Sequence, residues 1–223
     1  MNTTQLSPIS HLSDIEGELR EMGITSEIFE NALRAGLLEY NKVTKLHPVT
    51  AAGSRAWEEI IAVLRSGLLG PEGGWGYSHE NGLSLTHNKD LGMTIVVSSG
   101  NKSTGKYDEN AKTKNAKGSS TLEYVGRNYS LFDDIDTNIT DIRSVLADPH
   151  ETWVLLYHID EVTREIRFEL SLPKGLHETE GKLKIDEWEK RIICTSIPFD
   201  SQIIEKEKAE FSEEINFSEI TDS

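Results

Sequence analysis

The clearest strand pattern covers residues 152–173, where two runs rich in β-branched and aromatic residues flank the polar segment 160–164. A period of two is typical of β-strands, because successive side chains point to opposite faces of the sheet. The first run is apolar on both faces, which predicts a central strand, and the second is apolar on only one. We therefore predict a β-hairpin around which the sheet is built. The outward, solvated face of the second strand is predicted to carry Arg167, Glu169 and Ser171.

The first third of the chain has helical periodicity instead. Apolar residues three and four positions apart, with charged residues between them, predict three amphipathic helices. Residues 1–12 precede them, are polar, and are predicted to be a disordered N-terminus. The predicted helices cover residues 14–22, the segment from Ser26 to before Pro48, and a third segment that contains 57–68 and ends at Gly70-Pro71.

After the helices, strand and turn signals replace the helical pattern. Asn81-Gly82 lies between two short alternating runs and predicts a tight hairpin turn. Residues 93–99 predict a strand that is buried on both faces, and residues 139–146 fit a short helix. We predict a turn-rich link over 174–184, where glycines interrupt the pattern, and a last strand over 191–197.

The order of the elements, helices first and strands afterwards, predicts an α+β fold. We expect N-terminal helices packed on a mostly antiparallel sheet that is built around the 152–173 hairpin, all within one domain over 13–198. The predicted divisions are a helical part (13–70), a sheet-rich part (75–198) with a flexible Lys/Gly/Ser loop (101–121), and a disordered acidic C-terminal tail (199–223).

The composition limits the classes of partner. The chain has 223 residues and a formal net charge of −15, which argues against general affinity for nucleic acid or anionic membranes, because both attract positive surfaces. Cys194 is the single cysteine, so a reducing compartment is expected. The N-terminus lacks the apolar segment of a signal peptide, and no apolar run is long enough to span a membrane. We expect a soluble cytoplasmic protein.

The segment Gly100–Lys106 has the G-x-x-x-x-G-K spacing of a phosphate-binding loop and follows a predicted buried strand. In such loops backbone N–H groups cradle phosphates and the lysine contacts the terminal ones. Gly100, Gly105 and Lys106 are therefore candidate ligand-binding residues. Against this, Tyr107 occupies the position of the Ser or Thr whose hydroxyl would bind Mg²⁺, and no helical pattern follows. The alternative is a mobile loop that leaves a strand.

Imidazole and carboxylate groups are concentrated around the predicted Asn81-Gly82 turn. His79, His87 and Asp90 are candidate metal ligands, because zinc and non-haem iron prefer this combination of groups. The two histidines lie at unequal distances from the turn, and no H-x-x-x-H or H-E-x-x-H motif occurs. The alternative is a set of surface polar residues.

Acidic residues of the 152–173 hairpin are candidates for metal-dependent catalysis. Asp160, Glu169 and Lys174 could form a Mg²⁺-dependent phosphodiesterase site, in which the metal activates water and the lysine stabilises charge. Lys174 lies beyond Pro173, so the usual E-x-K spacing is absent. The alternative is a set of ion pairs between strands on a solvated face of the sheet.

Lysines outnumber acidic residues in the predicted loop over 101–121, although the whole chain is acidic. Lys112, Lys114 and Lys117 are candidate nucleic-acid contacts. Tyr107 is the one aromatic residue there that could stack on a base, so a flexible solvated loop is the alternative.

No catalytic motif is complete, and the acidic charge, polar loop and acidic tail are suited to partner capture. We therefore expect a non-catalytic macromolecule-binding protein, acting as an adaptor, regulator or inhibitor through a protein partner, and we expect no cofactor. The alternative is a phosphate-substrate enzyme, either a metal-dependent nuclease or phosphohydrolase or a nucleotide-binding protein. It would use the Gly100–Lys106 loop, or Asp160 and Glu169 with Mg²⁺.

Overall fold

The computed structural model describes residues 12–70, 73–80, 82–115, 151–179 and 182–199. The predicted disordered N-terminus, the short helix over 139–146, the acidic tail beyond residue 199 and Lys117 lie outside the described residues. In the described ranges the helices are α1 (Leu12–Glu21), α2 (Ser26–Asn41) and α3 (Ala51–Leu68). The strands are β1 (Trp75–Glu80), β2 (Leu83–Asn88), β3 (Met93–Ser99), β4 (Glu151–Asp160), β5 (Glu165–Thr179), β6 (Lys182–Ile193) and β7 (Ile197–Pro198).

The strands form one sheet in the order β1-β2-β3-β4-β5-β6, and β7 pairs with β5 beside the end of β6. Strands β3 and β4 run parallel, whereas the other described pairs are antiparallel. The predicted α+β fold, with helices first and a mostly antiparallel sheet, is confirmed.

The hairpin at the centre of the prediction is confirmed as β4 and β5, whose pairing ends at Asp160 opposite Glu165. The turn-rich link predicted over 174–184 is wrong, because β5 and β6 continue through it as a long antiparallel pair. Register shifts at Pro173 and Gly175 accommodate the residues that indicated a turn. The predicted last strand over 191–197 is also wrong, since β6 ends at Ile193 and β7 begins at Ile197.

The helices cover one face of the sheet. Apolar residues of α1, α2 and α3 form one buried cluster with Trp153, Leu155 and Tyr157 of β4 and with the apolar side of β5. At the centre, the rings of Phe29 and Phe168 meet edge to face, 6.4 Å apart. No helix in the described ranges is both long and apolar enough to cross a membrane.

The other face of the sheet is covered by residues 100–115, which fold back after β3. Ala111 packs in a second buried cluster with Val154, Leu156 and Ile185. The expectation of a solvated face on β5 is therefore wrong. Its polar residues are buried: Arg167, Glu169 and Ser171 are 6%, 0% and 0% exposed.

Candidate functional site

The Gly100–Lys106 segment is held by hydrogen bonds that occupy its backbone. The N–H groups of Asn101, Thr104 and Lys106 donate to carbonyl groups within residues 100–115, and the N–H of Ser103 donates to the Asn101 side chain. A phosphate-binding loop needs such N–H groups directed outward at the ligand. These groups are directed inward, so this geometry does not favour the phosphate-loop interpretation.

Arginine side chains reach the carbonyl groups of the same segment. Arg167 donates from Nε to the Thr104 carbonyl at 3.1 Å and from Nη2 to the Lys102 carbonyl at 3.0 Å. Gly105 has a φ of +71°, and a Cβ there would lie 2.8 Å from Cβ of Arg167, so this glycine permits close packing on β5. The Lys106 ammonium pairs with Glu109 at 2.8 Å.

The two candidate catalytic carboxylates are separated and are bound by different arginines. Asp160 lies 3.0 Å from the Arg167 guanidinium. Glu169 is fully buried, and its Oε2 accepts hydrogen bonds from Nε and Nη2 of Arg191. Asp160 is opposite Glu165, so Glu169 is four residues, roughly 13 Å, further along β5. Lys174 is exposed beyond the register shift at Pro173. A shared metal site is not formed by these three residues.

The Asp160 carboxyl is expected to titrate well below the usual range. The backbone N–H of Thr163, with that of Val162 and the Arg167 guanidinium, lowers the pKa of Asp160 to about 2. Because the pKa is lowered in the folded state, ionised Asp160 stabilises the fold above pH 3.8, and this stabilisation is lost as the pH falls through about 2. Carboxyl-carbon NMR of the folded protein should give a midpoint near 2, and a midpoint near 3.8 would contradict the hydrogen bonds described.

The three candidate metal ligands do not converge. His79 of β1 is opposite Ser84, and His87 of β2 is opposite Gly76, so the histidines are about 10 Å apart along the hairpin. Asp90 follows the end of β2 at which His87 lies, at the opposite end of the hairpin from His79. Within the described ranges, no group of three His, Cys, Asp or Glu side chains has the geometry of a metal site.

The two candidate nucleic-acid lysines that are described have different surroundings. Lys112 pairs with Asp186 at 3.2 Å, whereas Lys114 lines an open cleft on the molecule. Of these two lysines, only Lys114 has no acidic partner among the described residues.

This cleft, of about 640 Å³, lies between the start of α3 and the ends of β3 and β4. It exists because β2 pairs with β3 only as far as Ile95. Beyond that point no described strand pairs with β3 on the β2 side, and the Trp57 indole of α3 donates to the Val97 carbonyl at 3.0 Å instead. The lining residues are Tyr40, Val49–Thr50, Ala52–Ser54, Ala56–Trp57, Leu83, Val97–Gly100, Lys114–Asn115 and Tyr157–Ile159.

Polar groups from three parts of the chain meet in the cleft. Tyr157 is 4% exposed, and burial raises its pKa, so its hydroxyl keeps the proton at neutral pH. His158 lies with Nδ1 3.3 Å from the Gly100 carbonyl, and burial lowers its pKa. Thr50, the N-cap of α3, makes no side-chain capping bond, which leaves the start of this helix open toward the cleft.

Sequence reasoning missed Tyr157, His158 and the start of α3. A histidine inside an otherwise apolar strand was the available signal for His158. The start of α3 comes together with β4 through tertiary packing, and that contact has no local sequence pattern.

The described part of the chain is thus an α+β structure with one sheet face under helices, the other under a long loop, and a polar cleft at the carboxyl ends of its parallel strands. No protein-family model, no curated protein and no solved structure matches the chain.

Proposed function

We propose that this protein is a non-catalytic binding protein that captures a protein partner on the rim of the cleft. The observation that carries the proposal is the exposure of three aliphatic side chains there. Leu46, Val49 and Val162 are 96%, 102% and 92% exposed. When a partner covers such an aliphatic side chain fully, the complex is stabilised by roughly 1.5–3 kcal/mol.

These three side chains belong to one end of the molecule. Val49 lines the cleft, and Leu46 lies three residues before it in the connection between α2 and α3. Tyr40 also lines the cleft, and its hydroxyl donates to Glu161 at 2.7 Å, which brings the β4–β5 turn and Val162 to the same rim. Grouped apolar side chains around a concave surface are typical of interaction sites.

Binding without catalysis has further support from the groups that could perform chemistry. Burial raises the pKa of the Cys194 thiol to about 12, so the thiolate nucleophile is not formed at neutral pH. Asp160 and Glu169 are held by arginines. The alternative, a phosphate-substrate enzyme that uses these carboxylates, therefore has less support.

The proposed role is that of an adaptor, a regulator or an inhibitor, because each of these acts through a binding surface of this type. The net charge of −15 favours a partner with basic surface around its apolar contact and does not favour general nucleic-acid binding. The buried, protonated Cys194 is compatible with the reducing conditions of the cytoplasm, the proposed location.

The rim is tested by charge substitution in a partner-capture experiment. The double variant Leu46→Asp/Val49→Asp should lose about 3 kcal/mol or more of binding free energy, a hundredfold or greater loss of affinity, because two apolar contacts are replaced by charges. The measurement compares the protein retained in stoichiometric amount by immobilised wild type and by the variant.

Leu91→Asp is the matched control. Leu91 is also exposed, at 46%, but it precedes β3, whereas the cleft is at the end of that strand, about 20 Å away. This control should retain the partner as the wild type does. Equal capture by all three proteins, or no stoichiometric partner for the wild type, would be evidence against the proposal.

A further inference from the structure

The cleft contains hydrogen-bond donors that have no acceptor. The first helical residue, Ala51, donates to the Pro48 carbonyl, and Ser54 donates to Thr50. Within the described chain, the N–H groups of Ala52 and Gly53 between them have no acceptor. Both residues line the cleft, and a helix N-terminus carries a partial positive charge that favours anions.

A buried side chain gives an independent indication of a ligand. Tyr157 lines the same cleft and is 4% exposed, yet its hydroxyl has no hydrogen-bond partner among the described residues. The hydroxyl oxygen is not fully enclosed by protein, so this polar end of a nearly buried side chain is open to the cleft that the residue lines. An acceptor oxygen supplied by a ligand would satisfy it.

Two further donors at the cleft determine the class of ligand. Ser54 and Lys114 line it, and neither side chain has a partner in the described ranges. A carboxylate offers two oxygens, whereas a phosphate monoester offers three terminal oxygens and nearly two negative charges at neutral pH. Two backbone N–H groups, two hydroxyl groups and one ammonium suit the phosphate better.

We propose that the cleft binds the phosphate monoester group of a ligand, between the N-terminus of α3, Tyr157 and Lys114. The phosphate comes either from a phosphorylated side chain of a protein partner or from a free phosphorylated metabolite. The site differs from the Gly100–Lys106 segment, whose N–H groups are already occupied. It does not depend on Leu46 or Val49, so it stands separately from the proposed partner capture.

The test is calorimetric titration at constant ionic strength with inorganic phosphate, N-acetylphosphoserine amide, AMP and acetate. Phosphate compounds should bind and acetate should not. Tighter binding of the phosphoserine compound identifies a protein source, and tighter binding of AMP identifies a metabolite source. No binding by any phosphate compound, or equal binding by acetate, would overturn the proposal.

Tyr157→Phe should weaken phosphate binding by about tenfold, because it removes one hydrogen bond to a charged group. The hydroxyl has no partner in the unliganded protein, so the variant should fold with an unchanged or higher Tm. Lys114→Gln should also weaken binding, whereas Lys89→Gln, an exposed lysine at the far end of β3, should not. Phosphate affinity that is unchanged in both Tyr157→Phe and Lys114→Gln would also overturn the proposal, whatever the result of partner capture.

Discussion

Replacing Arg191 with methionine is expected to lower the free energy of unfolding by about 3–5 kcal/mol, because it leaves a buried carboxylate without its counter-charge. Glu169 is 0% exposed, and its Oε2 receives both hydrogen bonds from Arg191. Arg191 also donates to the Lys106 and Glu109 carbonyls, so the covering segment loses anchors as well. Urea denaturation at neutral pH measures the change.

The pH dependence separates the buried charge from a simple loss of packing. Burial, which outweighs the pairing with Arg191, raises the pKa of Glu169 above its ordinary 4.5. A raised folded-state pKa gives stability that is complete below pH 4.5 and is lost as the pH rises through the folded value. Without Arg191 the pKa of Glu169 rises further. The difference in free energy of unfolding between the wild type and Arg191→Met should therefore shrink on acidification toward pH 5.

The control is the double variant Arg191→Met/Glu169→Gln. It removes the carboxylate charge together with its partner and should recover most of the lost stability at neutral pH. A loss below about 1 kcal/mol in Arg191→Met, or no recovery in the double variant, would contradict the buried ion pair.

Gly36→Ala is expected to destabilise the protein by about 1–3 kcal/mol, although alanine is the better helix former by about 1 kcal/mol. A Cβ at Gly36 would overlap Cγ1 of Ile60 and lie 2.9 Å from the carbonyl oxygen of Ala56. The oxygen belongs to the α3 backbone and cannot turn away, so the helices would have to separate. Because α3 forms one wall of the cleft, this contact also fixes the binding site.

Gly17→Ala is the matched control for the helix contact. Gly17 is inside α1, and a Cβ there would meet nothing within 4 Å. This variant should raise the free energy of unfolding by about 0.5–1 kcal/mol. If Gly36→Ala stabilises the protein as Gly17→Ala does, α2 and α3 do not approach each other as closely as described.

The elements that were predicted correctly have local periodicity. The apolar residues of α3 recur at helical spacing, and the polar and apolar residues of β5 alternate up to Leu172. Beyond Leu172 the proline and glycines indicated a turn. The structure instead absorbs these residues in register shifts within a long strand pair. Such shifts depend on the neighbouring strand, here β6, and therefore have no local sequence signal.

The cover over the second sheet face could not be predicted for a different physical reason. Residues 100–115 have no apolar period, since they are held mainly through carbonyl groups that accept from Arg167 and Arg191 and through the Asn101 side chain. Any residue has a carbonyl group, so such contacts leave little trace in the sequence. The cleft depends likewise on the tertiary contact of Trp57 with Val97.

The most direct test of partner binding at the cleft rim is hydrogen exchange of the amide groups, measured with and without the captured partner. We expect slower exchange at residues 44–54 and 157–163, which carry the rim and the cleft, and unchanged exchange at 102–109 on the opposite sheet face. Slowing confined to 102–109, with no change at 44–54 and 157–163, would contradict partner binding at the rim.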